Sequence, residues 1–209
     1  MSSPITLVII GITTLISYRA FNDPVLKMRL IHNPYKVKHG KEYHRLLTSG
    51  FIHADFTHLL FNMLTFFFFG PVVEQILAAI HGEILGGVIY VLFYLISIVF
   101  SDLSSVVRFG DAPGYNSLGA SGAVSAVLFF SILFDPLRDL LLYFVLPIPG
   151  FILGALYLVY SYFQGKRMAD NINHNAHLYG AIAGIVFAIA TYPKVVVSFI
   201  EQVGSYSFF

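Results

Sequence analysis

Asn116-Ser117-Leu118-Gly119-Ala120-Ser121-Gly122-Ala123 is a small-residue turn that runs directly into the apolar stretch ending at Phe134, and the rest of the chain is read outward from it. A Gly-x-Ser-Gly turn feeding a helix leaves a serine hydroxyl at a helix N-terminus. There the unpaired backbone N–H groups and the positive end of the dipole stabilise an anion. Ser121 is therefore a candidate nucleophile. Small residues in this order also suit close helix packing in a membrane, and from these eight residues alone both readings stand.

Composition decides the solvent. The chain has 209 residues, 57% of them hydrophobic and only 11% charged, with a mean hydropathy of +0.77. Such a chain cannot present a water-soluble surface and reads as a single polytopic membrane domain, residues 1–209. No cysteine is present, which excludes a disulfide framework and a thiolate metal site. A net charge of +1 gives no reason to expect a nucleic-acid partner.

Working outward, the hydropathy pattern predicts six spans, at about 4–20, 56–79, 84–100, 121–134, 140–163 and 172–192. The first carries no charge before Arg19; a signal peptide competes with it, but no basic segment precedes the run and no small-residue cleavage site follows. Between the first two spans, residues 22–55 carry six basic side chains, four histidines and the turn signals Asn22-Asp23-Pro24 and Asn33-Pro34, the pattern of a long structured loop. Gly70-Pro71 predicts a bend or end in the second span. Pro147-Ile148-Pro149-Gly150 predicts an interruption in the fifth, which either lines a cavity or is a static kink. The tail from Pro193 reads as an anchor or interfacial segment.

Polar residues inside spans are costly, so each asks for a purpose. The second span has His58 and Asn62 four apart on one face. The sixth has His177, Gly180, Ala181, Gly184 and Ala188 on one face, a strip that admits close approach of another backbone. Its natural partner is the small face Ser121, Gly122 and Ser125 of the fourth span, a contact that brings the His177 ring within reach of the Ser121 hydroxyl. No Asp or Glu is expected at that depth, so a Ser–His dyad is the economical arrangement, His177 taking the serine proton. His58 and Asn62 then serve, with the Ser121 N–H, as oxyanion donors. A metal held by His53, His58, His174 and His177 is the competing reading, although neither a His-Glu-x-x-His helix nor a carboxylate ligand accompanies them. Glu74, at the far end of the second span, is expected to satisfy helix ends or loop backbone.

These residues resemble the rhomboid intramembrane serine proteases in their basic six-span form. The similarity rests on Gly119-Ala120-Ser121-Gly122, on Ala176-His177 with Gly180, on His58-Leu59-Leu60-Phe61-Asn62, and on the approach Gly50-Phe51-Ile52-His53-Ala54-Asp55-Phe56-Thr57-His58. The resemblance implies an all-α six-helix membrane bundle with a structured first loop. It makes Ser121 the nucleophile and His177 the base and then acid, with His58, Asn62 and Gly119 on the oxyanion side and Gly180 and Gly184 in helix packing. Neither metal nor organic cofactor is expected. The expected partners are the lipid bilayer and transmembrane protein substrates, cut in or beside their spans. A catalytically inactive rhomboid-like protein that binds transmembrane helices is the alternative.

Two positions depart from the family pattern: His44-Arg45 stands where Trp-Arg is common, and Ser125 where many members place an aromatic residue that stacks on the histidine. Topology divides the arguments. Nine basic residues lie in the first, third and fifth loops against two, Arg138 and Lys194, on the other side, which by the positive-inside rule puts the active-site mouth in the cytoplasm. The resemblance implies a bacterial inner-membrane protein with its site opening outward. That orientation is adopted, because six of the nine charges lie in a first loop whose basic side chains can reach headgroups or pair internally.

Overall fold

Helix α1 (Pro4–Asn22) starts at a proline, which suits a first helical turn because its missing N–H would have no partner there. The N–H groups of Ile5 and Thr6 are instead capped from another helix. Glu74 of α5 (Phe56–His81) accepts from Ile5 N at 3.1 Å, Thr6 N at 2.9 Å and Thr6 Oγ1 at 2.7 Å. Left unpaired, that carboxylate would cost several kcal/mol inside a bilayer, so it serves as a helix cap. The computed structural model describes residues 3–142, 145–167 and 172–207.

Helix α5 runs continuously through Pro71, so the helix end expected there does not occur. Its neighbours explain the continuity. Gly70 faces Thr6 of α1 and Tyr90 of α6 (Glu83–Phe109) so closely that a Cβ would lie 2.6 Å from Thr6 Cγ2 and 2.8 Å from the Tyr90 hydroxyl. Close approach of α1 and α6 at the residue before the proline thus supports the helix where a hydrogen bond is missing. Helix α6 also outlasts the expected span end at 100 by nine residues. It carries Ser101, Asp102 and Ser105, all buried, and Asp102 meets the first loop at Ser49.

That loop holds α2 (Pro24–Leu30), α3 (Pro34–Gly40), α4 (Arg45–Thr48) and a short 3-10 turn, Ser49–Phe51. Asp23 and Asn33 cap α2 and α3 from ahead of their first-turn prolines. Arg45, buried, donates from Nη1 to the carbonyls of Met28 at 2.9 Å and Ile31 at 2.8 Å, and from Nε to Glu42 at 2.6 Å. The arginine therefore ties loop segments together without a neighbouring tryptophan, and His44 beside it makes no side-chain cap.

The bundle core gathers aromatic rings: Phe66 on Tyr94 at 4.9 Å, Phe93 on Phe187 at 4.3 Å, Phe130 on Phe134 at 5.0 Å. Since lipid tails are as apolar as these side chains, what favours helix association here is close packing and polar contact rather than removal from water. Helices α7 (Ser121–Phe134) and α9 (His174–Thr191) approach most intimately.

The fifth span departs from expectation. Residues 139–142 and 146–149, expected to lie largely inside a helix from 140 to 163, pair as antiparallel strands β1 (Asp139–Leu142) and β2 (Leu146–Pro149). Residues 143 and 144 lie outside the described residues. Prolines at 147 and 149 cannot supply helical N–H bonds, and the helix α8 (Gly150–Arg167) begins only after them. No proline or glycine therefore interrupts the middle of α8 as expected; the break lies at its start.

Helix α9 is followed by α10 (Val195–Gly204), bent from it by 111°. This tail segment buries Val195, exposes Val197 and Ile200, and Gln202 Nε2 donates to the Phe134 carbonyl at 3.3 Å. Among the described residues, three helices, α1, α5 and α6, are individually long and apolar enough to cross a membrane, and the bent pair α9 and α10 qualifies together. The architecture is a mostly helical, membrane-type bundle.

Candidate active site

Ser121 is the first residue of α7, preceded by a turn that three separate elements hold. Gly119 N donates to the Ser49 carbonyl at 3.0 Å, and Ala120 N donates to Nε2 of His53 at 3.3 Å. Further upstream, His32 and Ser117 exchange both backbone hydrogen bonds, at 3.1 and 3.0 Å. Asn33 Nδ2 donates to Pro113 O, Tyr115 O and Asn116 Oδ1. The first loop is thus the template on which the serine turn is laid down.

His53 does this as a neutral ring. Ser17 Oγ donates to the Phe51 carbonyl at 3.0 Å, so its contact with His53 Nδ1 at 2.9 Å needs the hydrogen on Nδ1 and leaves Nε2 free to accept from Ala120. Burial, with the His58 ring beside it, pushes His53 down to about 3.

Gly119 has φ +121°, a conformation that favours glycine. A Cβ there would also lie 2.7 Å from Cε1 of His58, so the His58 ring rests directly over the turn. The α5 N-terminus that carries His58 is capped by Asp55, which accepts from His58 N at 2.8 Å. One turn on, Asn62 is buried and donates from Nδ2 to the His58 carbonyl at 2.9 Å.

On the opposite side, α9 meets α7 main chain to main chain. A Cβ on Gly180 would run into the carbonyl of Gly122, and one on Gly184 into the carbonyl of Ala126. Gly122 in turn has no room for a side chain beside Ser101. His177, one turn before Gly180, faces the same space as Ser121. Asn173 caps α9 by accepting from Ala176 N at 3.1 Å.

The result is one cavity of about 840 Å³ lined by Ser121, Ser125, His58, Asn62, Tyr157 and His177, among others. His58, Asn62, Ser121, Ser125 and His177 therefore face one space, while Gly119, Gly180 and Gly184 are close-approach points outside its lining. His53 stands behind the turn, and His174 is buried one turn before His177 at a ring distance of 5.8 Å. Among the described residues no three His, Cys, Asp or Glu side chains are placed to hold a metal ion.

Sequence reasoning missed Tyr157, whose ring stacks on His177 from α8 with centroids 6.2 Å apart and planes at 18°. Nothing in its local sequence separates it from Tyr160 or Tyr162. Asp102 was missed as well. It accepts from Ser49 Oγ at 2.7 Å, and Ser49 is the residue whose carbonyl receives Gly119 N.

The chain is similar to known proteins. Over 190 residues the chain is 30% identical to the mitochondrial RHOMBOID-like protein 12 of Arabidopsis thaliana, covering 87% of this chain but 56% of that protein. It is 30% identical over 156 residues to the putative rhomboid protease YdcA of Bacillus subtilis, covering 73% of this chain and 69% of the relative. With the rhomboid protease GlpG of Haemophilus influenzae the identity is 26% over 187 residues and 88% of each chain is covered. The chain thus spans little more than half the length of the plant relative and most of the length of the two bacterial ones. The rhomboid domain model matches residues 40–194, from the first loop to the end of α9, and on this match the integral membrane bundle described here belongs to the rhomboid family.

Proposed function

We propose that this chain is an intramembrane serine endopeptidase that hydrolyses peptide bonds in or near transmembrane segments of other membrane proteins through Ser121 and His177. The observation that carries the reading is the single cavity shared by the Ser121 turn, His177, His58 and Asn62. Membership of a family with relatives named as proteases supports it further.

In the reaction, His177 takes the proton of the Ser121 hydroxyl as Oγ attacks the scissile carbonyl carbon. The carbonyl oxygen becomes an oxyanion at the N-terminus of α7. The Ser121 N–H lies in the first helical turn, where N–H groups have no intrahelical acceptor, and it can donate to that oxygen together with the side chains of Asn62 and His58. His177 then gives its proton to the leaving amine, the C–N bond breaks, and an ester on Ser121 remains. Water repeats the sequence with His177 as base, releasing the carboxyl product and restoring the serine. A cofactor has no step to perform.

Six membrane crossings by α1, α5, α6, α7, α8 and α9 accommodate this chemistry, with the short α7 starting below the surface so that Ser121 lies at depth under a water-filled mouth. The orientation adopted places that mouth on the extracytoplasmic side of a bacterial cell membrane. Several first-loop charges are already engaged within the protein, Arg45 with carbonyls and Lys38 with Asp111 at 2.6 Å, which weakens their weight in a positive-inside count.

The deciding experiment is reaction of the detergent-solubilised protein with a fluorophosphonate probe, beside cleavage of a model transmembrane substrate. Labelling and cleavage that both vanish in Ser121→Ala support the protease. Absence of both in the wild type, with transmembrane segments still bound, would make the chain an inactive helix-binding member of the family.

A further inference from the structure

We propose that Tyr157 is the positioning residue for His177, held in place through Ser125, so that the orientation of the general base is set from α8 rather than from the serine helix. The inference rests on the protease reading above.

Three observations converge on Tyr157. Its ring lies nearly parallel to the His177 ring. Its hydroxyl meets Ser125 Oγ at 2.9 Å, and Ser125 is one helical turn after Ser121 on the cavity side of α7. Its ring packs on Phe129, another turn along the same helix, with centroids 5.8 Å apart and planes at 42°. One turn before Tyr157, Gly154 lets α8 come close to α7: a Cβ there would lie 3.2 Å from Ile132 Cδ1 and 3.4 Å from Phe129 Cε1. Tyr157 is therefore held at its hydroxyl by Ser125 and at its ring by Phe129, with its helix close to α7 at Gly154, and its ring lies nearly parallel to that of His177.

Much of the rest of α8 faces away from the cavity. Leu156, Val159 and Phe163 are exposed, and the helix meets His177 through Tyr157. Tyr160 makes an edge contact with His174 at 5.4 Å, so residues i and i+3 of α8 match residues i+3 and i of α9. An imidazole on a helix has two soft torsions. A ring stacked on a fixed neighbour has fewer accessible orientations, which is the condition for taking a proton along one direction. Ser125 is too small to supply such a face. A side chain on α8 supplies it instead, and Ser125 contributes only the anchor.

The test compares acylation by a small fluorophosphonate with cleavage of a transmembrane substrate. Tyr157→Ala, if the melting temperature shows a folded protein, is expected to lower the acylation rate and kcat by roughly ten- to a hundredfold with KM little changed, as loss of alignment does. Tyr157→Phe keeps the face and loses only the hydroxyl contact, so its loss is a few-fold, and Ser125→Ala should match it. Combining those two mild variants should cost no more than either alone, because they break one hydrogen bond. Ser125→Tyr added to Tyr157→Ala places a ring from α7 in the vacated space and should recover a large part of the lost rate.

Three results would overturn the proposal in an active protein: acylation by Tyr157→Ala within twofold of wild type, a Phe variant as poor as the Ala variant, or an effect confined to KM. If Tyr157→Ala does not fold, the mild pair still decides, since independent losses in Tyr157→Phe and Ser125→Ala contradict the shared anchor. A wild-type protein that does not acylate at all defeats the protease reading itself and this inference with it.

Discussion

His53 accepts a hydrogen bond from the main-chain N–H of Ala120, so an imidazole in the first loop holds the peptide that immediately precedes Ser121. The bond is long, at 3.3 Å, but the N–H is buried and without it would have no compensating partner in the turn. Replacing His53 by Ala is expected to lower kcat by about tenfold or more while sparing the overall fold, because misplacing the serine is costlier than losing one loop contact. Side-by-side acylation rates and circular dichroism spectra check this. An unchanged rate would mean that Ser49, through Gly119 N, is sufficient to hold the turn.

The oxyanion side makes a separate prediction. Asn62→Ala and His58→Ala should each reduce turnover by roughly ten- to a thousandfold with little change in substrate binding, the pattern of a donor used only at the transition state. His58→Ala carries a second consequence, since it uncovers Gly119. Turnover that stays at wild-type level in the double variant would remove both side chains from the reaction.

Gly180 and Gly184 predict a steric effect. Gly180→Val should be far worse than an equally apolar substitution on the lipid-facing side of α9, such as Val186→Ala, because any Cβ at 180 must push α9 off the Gly122 carbonyl. A helix at this contact cannot relax by a side-chain rotation, since backbone meets backbone. The measurement is paired: thermal midpoint in detergent and acylation rate, both expected to drop.

Acid should destabilise the fold through two first-loop histidines that are buried neutral. Burial, assisted by the Arg45 charge, pushes His32 down to about 4, and His53 lies at about 3. Asp102 Oδ2, 3.8 Å from His32 Nδ1, is beyond hydrogen-bond distance. Both folded values lie below the ordinary 6.5, so the unfolded chain takes up protons first as pH falls. Stability is therefore complete above about pH 6.5 and is lost progressively towards pH 4. The thermal midpoint should fall over that window. His32→Leu should flatten the decline, because among the described residues neither ring nitrogen of His32 has a hydrogen-bond partner to lose. A midpoint that is flat between pH 6.5 and 4.5 in the wild type contradicts the assignment.

Much of this arrangement can be read from residue order, and the failures have physical causes. The bounds of α7 follow from its small-residue turn and from Asp135-Pro136, and the strip from His177 to Ala188 announces a backbone-close neighbour by its spacing. The fifth span misleads because hydropathy weighs Leu140, Leu141 and Leu142 equally in a strand and in a helix. The alternation Leu146-Pro147-Ile148-Pro149 was the available signal against a helix there. The third span reads short because Asp102 lowers apolarity at a point where its carboxylate is buried against Ser49. Tyr157 is invisible for a different reason, since stacking between α8 and α9 is a tertiary relationship with no local pattern. The same holds for His53, whose acceptor role depends on a residue 67 positions away.

The contact of Gly180 with Gly122 has a further meaning for how such a site tolerates change. When two supports touch through side chains, their spacing is a sum of rotamers and drifts with every substitution nearby. Here the supports of Ser121 and His177 touch through peptide groups, whose dimensions are the same in every sequence. The spacing of Ser121 and His177 is gauged against covalent geometry, within a helical turn of the contact. Side chains facing the lipid can then be exchanged freely, and bilayers of different thickness can tilt the outer helices, without altering the distance between these two side chains.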